Sequence, residues 1–295
     1  MIRVAARGSK LSRAQANLVI DYLKGIGYEV EFLEVKTRGD VFSTQKVAEL
    51  GKGVFEKEVN QKVLEGEADL AVHSMKDMES DLDNRLEIVA TLPRESPLDV
   101  IVSPRNVSVY EMERETLGTS SQRRRNFVNF VNPLITVKEL RGNLDTRILR
   151  LQQGNFDAII VAEAGIRRLK LDVKYKEIDP YDLTPAPNQG IIAVVARRDN
   201  DKIKTIIRNL SSEESYNEAL AEREASKALG AGCNSSLGIL FNQDGNRLEG
   251  IGTIYTPKIK LSVAMSTSKE PKDAGELLAR RLREEAKKTG ISIQA

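Results

Sequence analysis

A chain of 295 residues, 30% charged and 40% hydrophobic, is long enough for two or three domains, each with its own core. A formal net charge of +2 with 5% aromatic residues gives no global field to mark a nucleic-acid or membrane-surface binder, so any electrostatic function must come from local clusters. The start, Met1-Ile2-Arg3-Val4-Ala5-Ala6-Arg7-Gly8, has no apolar leader, and no stretch approaches the ~18 apolar residues of a membrane span; a cytoplasmic location with a reduced thiol is expected.

Over the first 200 residues, strands and helices alternate. Ile2 to Ala6 reads as a strand, and Ser9 caps a helix carrying Leu11, Ala14, Leu18, Val19 and Tyr22. Gly25 and Gly27 stop that helix, and Val30 to Val35 is a strand. A helix over Val54 to Leu64 ends at Gly66, before the strand Asp69-Leu70-Ala71-Val72-His73. The same grammar returns when a helix through Leu149 and Leu151 ends near Gly154, before Asp157-Ala158-Ile159-Ile160-Val161. Helix, Gly, two residues, Asp, apolar strand: the recurrence implies two α/β units of related build, with largely parallel sheets covered on both faces. Pro93, Pro97 and Pro104 mark a crossing to the second unit. Thr184-Pro185-Ala186-Pro187-Asn188-Gln189-Gly190 marks a return, which lets the apolar run Ile191 to Ala196 rejoin the first sheet. Beyond Asp199 comes a small α+β domain. It has a helix over Ser212 to Leu229, strands at Leu237 to Phe241, Leu248 to Tyr255 and Ile259 to Met265 with an Asp244-Gly245 hairpin, and a final helix capped by Asp273.

The single cysteine, Cys233, follows two glycines in Leu229-Gly230-Ala231-Gly232-Cys233-Asn234-Ser235-Ser236. It can close no intramolecular disulfide, and alone it builds no thiolate metal cage. An inert thiol, a nucleophile and a covalent anchor all stay open. His73, the one histidine, leaves no parts for a His-based metal cluster or a Ser-His-Asp triad, and it reads as a packed strand residue. No metal site is expected. Lys76 and Asp77 follow that strand, and a carboxylate beside cations can stabilise a developing cation or move a proton, although a surface ion pair has the same sequence. Gly118-Thr119-Ser120-Ser121-Gln122-Arg123-Arg124-Arg125 places hydroxyls and guanidinium groups at a helix start, and Leu140-Arg141-Gly142-Asn143 with Thr146-Arg147 flanks a turn with arginine. Arg7-Gly8-Ser9 and Arg167-Arg168 lie beside helix ends. Any one of these arginines reads as a solvated ion-pair partner; several at loops that follow strands point to an anion site. Gly51-Lys52-Gly53 lacks the earlier glycine and the following Ser/Thr of a P-loop.

These strings, with Gln15, Thr37-Arg38-Gly39-Asp40, Gly51-Lys52-Gly53-Val54-Phe55, Val72-His73-Ser74-Met75-Lys76-Asp77 and Gln189-Gly190, resemble the porphobilinogen deaminase (hydroxymethylbilane synthase) family over nearly the whole chain. The resemblance implies two hinged α/β domains like those of periplasmic binding proteins, 1–95 with 188–206 and 96–187. A smaller α+β domain with a three-stranded antiparallel sheet, 207–295, would carry the cysteine toward the cleft. It implies a cytoplasmic transferase that condenses four porphobilinogen molecules into the linear tetrapyrrole hydroxymethylbilane, releasing ammonia. It also implies a dipyrromethane cofactor joined through a thioether to Cys233, with Asp77 catalytic. By the same resemblance Lys52, Lys76, Asp77, Thr119, Ser121, Arg123, Arg124, Arg141 and Gly190 hold the cofactor, while Arg7, Ser9, Gln15, Arg147, Arg168 and Gln189 hold substrate. The chain departs from the family's usual residues at Met78-Glu79, Leu98, Asn188 and Asn234-Ser235-Ser236. No nucleic-acid or membrane partner is implied, and with no strong apolar seam calling for a dimer a monomer is expected. A non-catalytic binder of small anions would account for the α/β halves and arginine loops, though not for the cysteine-bearing third domain. Nucleic-acid binding through Arg123-Arg124-Arg125 conflicts with the near-neutral charge balance.

Overall fold

The structure, a computed structural model, describes residues 1–36, 56–79, 81–230 and 236–291. The chain divides into two compact units, Met1–Glu95 with Gly190–Tyr216 and Ser96–Gln189 with Asn217–Ala295.

In the first unit, β1 (Ile2–Arg7) leads through Ser9 into a helix over Lys10–Gly25. The Ser9 hydroxyl accepts the backbone N–H of Ser12 at 3.2 Å and satisfies one of the amides a helix start leaves unpaired. This helix buries Gln15, Ala16, Val19, Ile20 and Leu23, a stripe sharing only Val19 with the expected face, and Leu18 is 47% exposed. The stripe shifts because Gln15 faces inward, where Ser74 satisfies its amide, so a polar side chain lies on the core side. Then come β2 (Val30–Val35), a helix over Lys57–Leu64, β3 (Leu70–Ser74) and β4 (Leu86–Thr91); β1 pairs in parallel with both β2 and β3.

The second unit opens with β5 (Asp99–Val102) and β6 (Thr116–Gly118), followed by a helix over Gln122–Val131 and β7 (Thr136–Lys138). A helix over Leu144–Gln152, β8 (Ala158–Ala162), a helix over Glu163–Leu169 and β9 (Tyr175–Glu177) complete its first sheet. The order is β7-β6-β8-β5-β9, with β6 parallel to its neighbours and β5 antiparallel to β8 and β9. The chain then returns to the first unit as β10 (Ile192–Arg197), which lies between β3 and β4, antiparallel to both, in the order β2-β1-β3-β10-β4. Both sheets follow one plan. Each is mixed where a largely parallel sheet was expected, because the strand beside β3 or β8 enters from the opposite direction.

The repeated Gly–Asp spacing has one physical meaning in both units. Gly66 (φ +73) and Gly154 (φ +75) turn the chain out of a helix in a conformation that favours glycine. The Asp three residues on then accepts a backbone amide at the start of the neighbouring strand. Arg3 N donates to Asp69 Oδ2 at 2.7 Å, and Thr116 N donates to Asp157 Oδ2 at 2.8 Å.

After helices over Asp201–Ile207 and Glu213–Ala228 come β11 (Leu237–Asp244), β12 (Arg247–Tyr255) and β13 (Lys260–Thr267), an antiparallel sheet in that order. The helix Pro271–Lys288 buries Leu278 and Leu282 against the sheet core around Ile239 and Phe241. It starts at Pro271 with Glu270 as its cap residue, and Asp273 lies inside the first turn; a proline preset for the first helical position moves the start forward. The 184–189 segment crosses β11, with Ile239 N donating to Pro185 O at 2.9 Å. A Cβ on Gly238 would stand 2.7 Å from Thr184 Cβ and press on the Thr184 carbonyl. Gly238→Ala is therefore expected to cost about 1–3 kcal/mol, since backbone cannot yield as a side chain does. Chemical denaturation checks this, and an unchanged midpoint would contradict it. Among the described residues no helix is long and apolar enough to cross a membrane.

Candidate active site

The chemistry-bearing residues of the first unit gather at the carboxyl ends of β1 and β3. Arg7 ends β1 and is half-buried, and Ser9 begins the helix that follows. After β3 the chain makes a single 3₁₀ turn over Met75–Asp77, anchored by buried Met75. Lys76 is half-buried. Asp77 is exposed, and its carboxylate meets no hydrogen-bond or ion-pair partner among the described residues. Gln15 braces the strand end before this turn: its amide nitrogen donates to Ser74 Oγ at 2.7 Å, and the Ser74 hydroxyl lies 3.1 Å from Gln15 Oε1. Buried and bonded in this way, Gln15 is a brace in the position where the resemblance implies a substrate contact.

His73 is the packed strand residue its sequence indicates. Its Nε2 lies 2.8 Å from Asn60 Oδ1 in the buried interior. Burial, with the nearby positive charge of Arg7, pushes its pKa from 6.5 down to about 4. The unfolded chain therefore takes up this proton before the folded one does. Stability is complete above pH 6.5 and is expected to fall by up to about 3 kcal/mol as pH drops from 6.5 toward 4, a loss that His73→Gln would remove. Urea midpoints across that range test it, and a flat profile would contradict it.

In the second unit the site residues lie beyond β6 and β7. Thr119 follows β6, and its Oγ1 accepts Ser121 N at 3.2 Å. Ser121 caps the Gln122–Val131 helix by accepting Arg124 N at 3.5 Å. Neither hydroxyl donates to an acceptor among the described residues. Ser120 Oγ ties this turn to the Leu140 carbonyl at 2.8 Å. Next to it Arg141 Nε meets Glu139 Oε1 at 2.5 Å, Gly142 has φ +110, and Arg147 Nε donates to the Gly142 carbonyl at 2.8 Å. Arg168, half-buried, ends the short helix that follows β8.

Arg123, Arg124 and Gln189, which the resemblance assigns to cofactor and substrate, are buried and paired inside the unit. Arg123 is 3% exposed and Arg124 6%, and both converge on Asp99, which is fully buried at the start of β5. Arg123 Nη1 lies 2.6 Å from Asp99 Oδ2 and donates to the Thr184 carbonyl at 2.8 Å. Arg124 donates to Asp99 Oδ1 through Nε at 2.9 Å and Nη2 at 2.6 Å, and to the Ile160 carbonyl through Nη1 at 2.9 Å. The amide of Gln189 donates to the Pro97 carbonyl at 2.7 Å and reaches Asp99 Oδ1 at 3.3 Å. Burial pushes the Asp99 carboxyl upward, but the charges and hydrogen bonds of the two arginines outweigh it and hold the pKa at about 2. The bonded donors of these three residues are thus committed inside the unit, because a buried guanidinium needs a counter-charge. Reading the sequence for cations missed Asp99. Its signal was a lone carboxylate heading the apolar strand Val100-Ile101-Val102.

Two departures from the family's usual residues have local explanations. Asn188 has φ +62, the left-handed region that glycine adopts freely and Asn tolerates, and its N–H donates to buried Glu222. Glu79 donates its backbone N–H to Glu56 Oε2 at 2.7 Å, a bond no proline could make. Gly190 has φ +92, and its carbonyl accepts Glu95 N at 3.1 Å. Cys233 and Lys52 lie outside the described residues.

A dipyrromethane carries several carboxylates and needs fixed donors. The donor set suits it: the half-buried Ser121 hydroxyl at the start of a ten-residue helix, buried Thr119 behind it, neither donating to an acceptor among the described residues, and arginines at the adjoining turn. Among the described residues no group of three or more His, Cys, Asp or Glu side chains could hold a metal ion.

Among solved structures, substrate binding domain 2 of Lactococcus lactis GlnP in its open conformation aligns with a TM-score of 0.44 at 13% identity, over 71% of this chain and 86% of that one. The family model for the dipyromethane cofactor binding domain of porphobilinogen deaminase matches residues 2–205. A protein of Metallosphaera sedula named "Probable porphobilinogen deaminase" is 46% identical over 290 residues, covering 98% of this chain and 99% of its own. Proteins of the same name from Sulfurisphaera tokodaii and Saccharolobus islandicus are 44% and 43% identical over the same shares. With a matched domain that contains both the Asp77 turn and the Thr119–Ser121 helix start, and relatives similar from end to end, the chain belongs to the porphobilinogen deaminase family.

Proposed function

We propose that in this porphobilinogen deaminase Asp77 is the catalytic carboxylate, Cys233 the attachment point of the dipyrromethane, and the residues around β1, β3, β6 and β7 the holders of pyrrole carboxylates. Porphobilinogen carries an aminomethyl group and two carboxylate side chains on one pyrrole. When its C–N bond breaks, the electron pair leaves with ammonia, and positive charge spreads over the ring and its nitrogen. An aspartate at that nitrogen stabilises the cation and accepts a proton as the ring regains aromaticity. The observation that carries this reading is the exposed Asp77 carboxylate, without a partner among the described residues, at the end of a braced strand beside half-buried Lys76. A bound dipyrromethane supplies a carbon nucleophile and a primer of two carboxylate-rich rings.

In the first unit Arg7 and Ser9 are donors for substrate, and Lys76 is a donor for the cofactor. In the second, Thr119, Ser121, Arg141, Arg147 and Arg168 present hydroxyl and guanidinium donors to carboxylates. Arg123, Arg124 and Gln189 act on this set from beneath, by fixing the helix start on which Ser121 lies. The three-stranded sheet and its helices form a third domain in this reading. Fresh protein is expected to weigh more than its sequence by one dipyrromethane, and Cys233→Ser to lack the increment, by intact mass spectrometry. Active protein of unmodified mass would remove the cofactor assignment.

A further inference from the structure

Behind the Met75–Asp77 turn runs a buried chain of polar side chains that the reaction itself leaves unexplained. Asn60 Nδ2 donates to Glu56 Oε1 at 2.9 Å, Glu79 N donates to Glu56 Oε2 at 2.7 Å, and His73 Nε2 meets Asn60 Oδ1 at 2.8 Å. Glu56, Asn60 and His73 are each less than a tenth exposed. Lys57 Nζ adds an ion pair to the Glu79 carboxylate at 3.1 Å. His73 stands two residues before the turn and Glu79 two after it, so one carboxylate at the start of the Lys57–Leu64 helix ties down both flanks.

We propose that Glu56 and Asn60 are positioning residues for Asp77, holding the catalytic turn from both sides through His73 and the Glu79 amide. This rests on the reading of Asp77 as the catalytic carboxylate. An exposed side chain without a partner takes its position from its backbone, so the precision of the carboxylate is the precision of the turn. The chain of bonds also has one direction. Glu56 only accepts, so Asn60 turns its amide nitrogen toward Glu56 and its oxygen toward His73, and neutral His73 must carry its proton on Nε2.

Two variants of the complete holoenzyme test this. Glu56→Ala frees both flanks, and kcat per folded molecule is expected to fall about tenfold or more, with KM within about threefold of wild type. Glu56→Gln keeps the ties by a rearrangement. Glutamine accepts Glu79 N–H and donates to Asn60, whose amide turns over and donates to His73 Nε2, so the imidazole proton moves to Nδ1. In that variant kcat is expected within about threefold of wild type. His73 is the only histidine, so the spectrum of protein labelled with ¹⁵N-histidine reads the tautomer directly: Nε2–H in wild type, Nδ1–H in Glu56→Gln. The tautomer reads the direction of the bond chain, and kcat reads its role: a merely structural role would move stability and leave kcat per folded molecule alone. Nδ1–H in wild type, an unchanged tautomer in Glu56→Gln, or a folded Glu56→Ala with wild-type kcat overturns the proposal. If Glu56→Ala fails to fold, Asn60→Ala takes its place: it frees the His73 flank alone, kcat per folded molecule is expected to fall severalfold, and folded protein with wild-type kcat overturns the proposal. Failure of the functional reading shows separately, as wild-type protein that leaves porphobilinogen unconsumed whatever the spectrum reads.

Discussion

Asp77→Ala is expected to fold and melt like wild type while turnover of porphobilinogen drops by roughly 10²–10⁴. The two halves of this expectation have separate causes. The side chain is exposed, with no partner for its carboxylate among the described residues, so truncation removes no packing and exposes no buried charge; a stability change within about 0.5 kcal/mol follows. The loss of rate follows from a negative charge whose counter-charge exists only while the C–N bond is breaking, so its contribution is concentrated in the transition state. Asp77→Asn keeps the shape and should be almost as damaging, since an amide neither balances the cation nor accepts its proton. Porphobilinogen consumption measured beside thermal melting checks both halves. Normal turnover in either variant would remove Asp77 from the chemistry.

The second large effect is expected at Asp99 and falls on stability. Asp99→Asn leaves Arg123 and Arg124 buried with no counter-charge, and breaking such a group by removing one partner costs about 3–5 kcal/mol. The acid limb of the stability curve carries the same signature. The Asp99 pKa lies below its ordinary 3.8, so its contribution is fully present above pH 3.8 and is lost as pH falls through about 2. Chemical denaturation of wild type and Asp99→Asn measures the difference. A cost under about 1 kcal/mol would mean that water or another anion already screens the two arginines.

Local features were the legible ones. The Gly66-to-Asp69 and Gly154-to-Asp157 spacings disclosed two related units because a left-handed turn and an amide-capping aspartate are set within four residues. The hairpin at Gly245 and the strands on either side were visible for the same reason. Partnerships across the chain were not. Arg123 and Arg124 read as part of an anion site, and their shared pairing with Asp99 was hidden because that counter-charge lies 25 residues before Arg124. Leu18 looked like a core residue because periodicity cannot tell that Gln15 finds Ser74 and turns a polar position inward. The Asp77 and Cys233 roles came from family resemblance, since the same lysine–aspartate pair fits a surface ion pair and a lone cysteine fits three chemistries.

The place of β10 between β3 and β4 bears on how the protein is made. The second unit's five-stranded sheet is contiguous in sequence, whereas the first lacks an interior strand until residues 192–197 exist. On a ribosome working from the amino end, the later-numbered sheet has all its strands before the earlier one does. Meanwhile β3 and β4 present bare edges, each a template for pairing with another nascent chain. A fragment ending shortly before Gly190 would keep those edges for good, and its natural fate is aggregation.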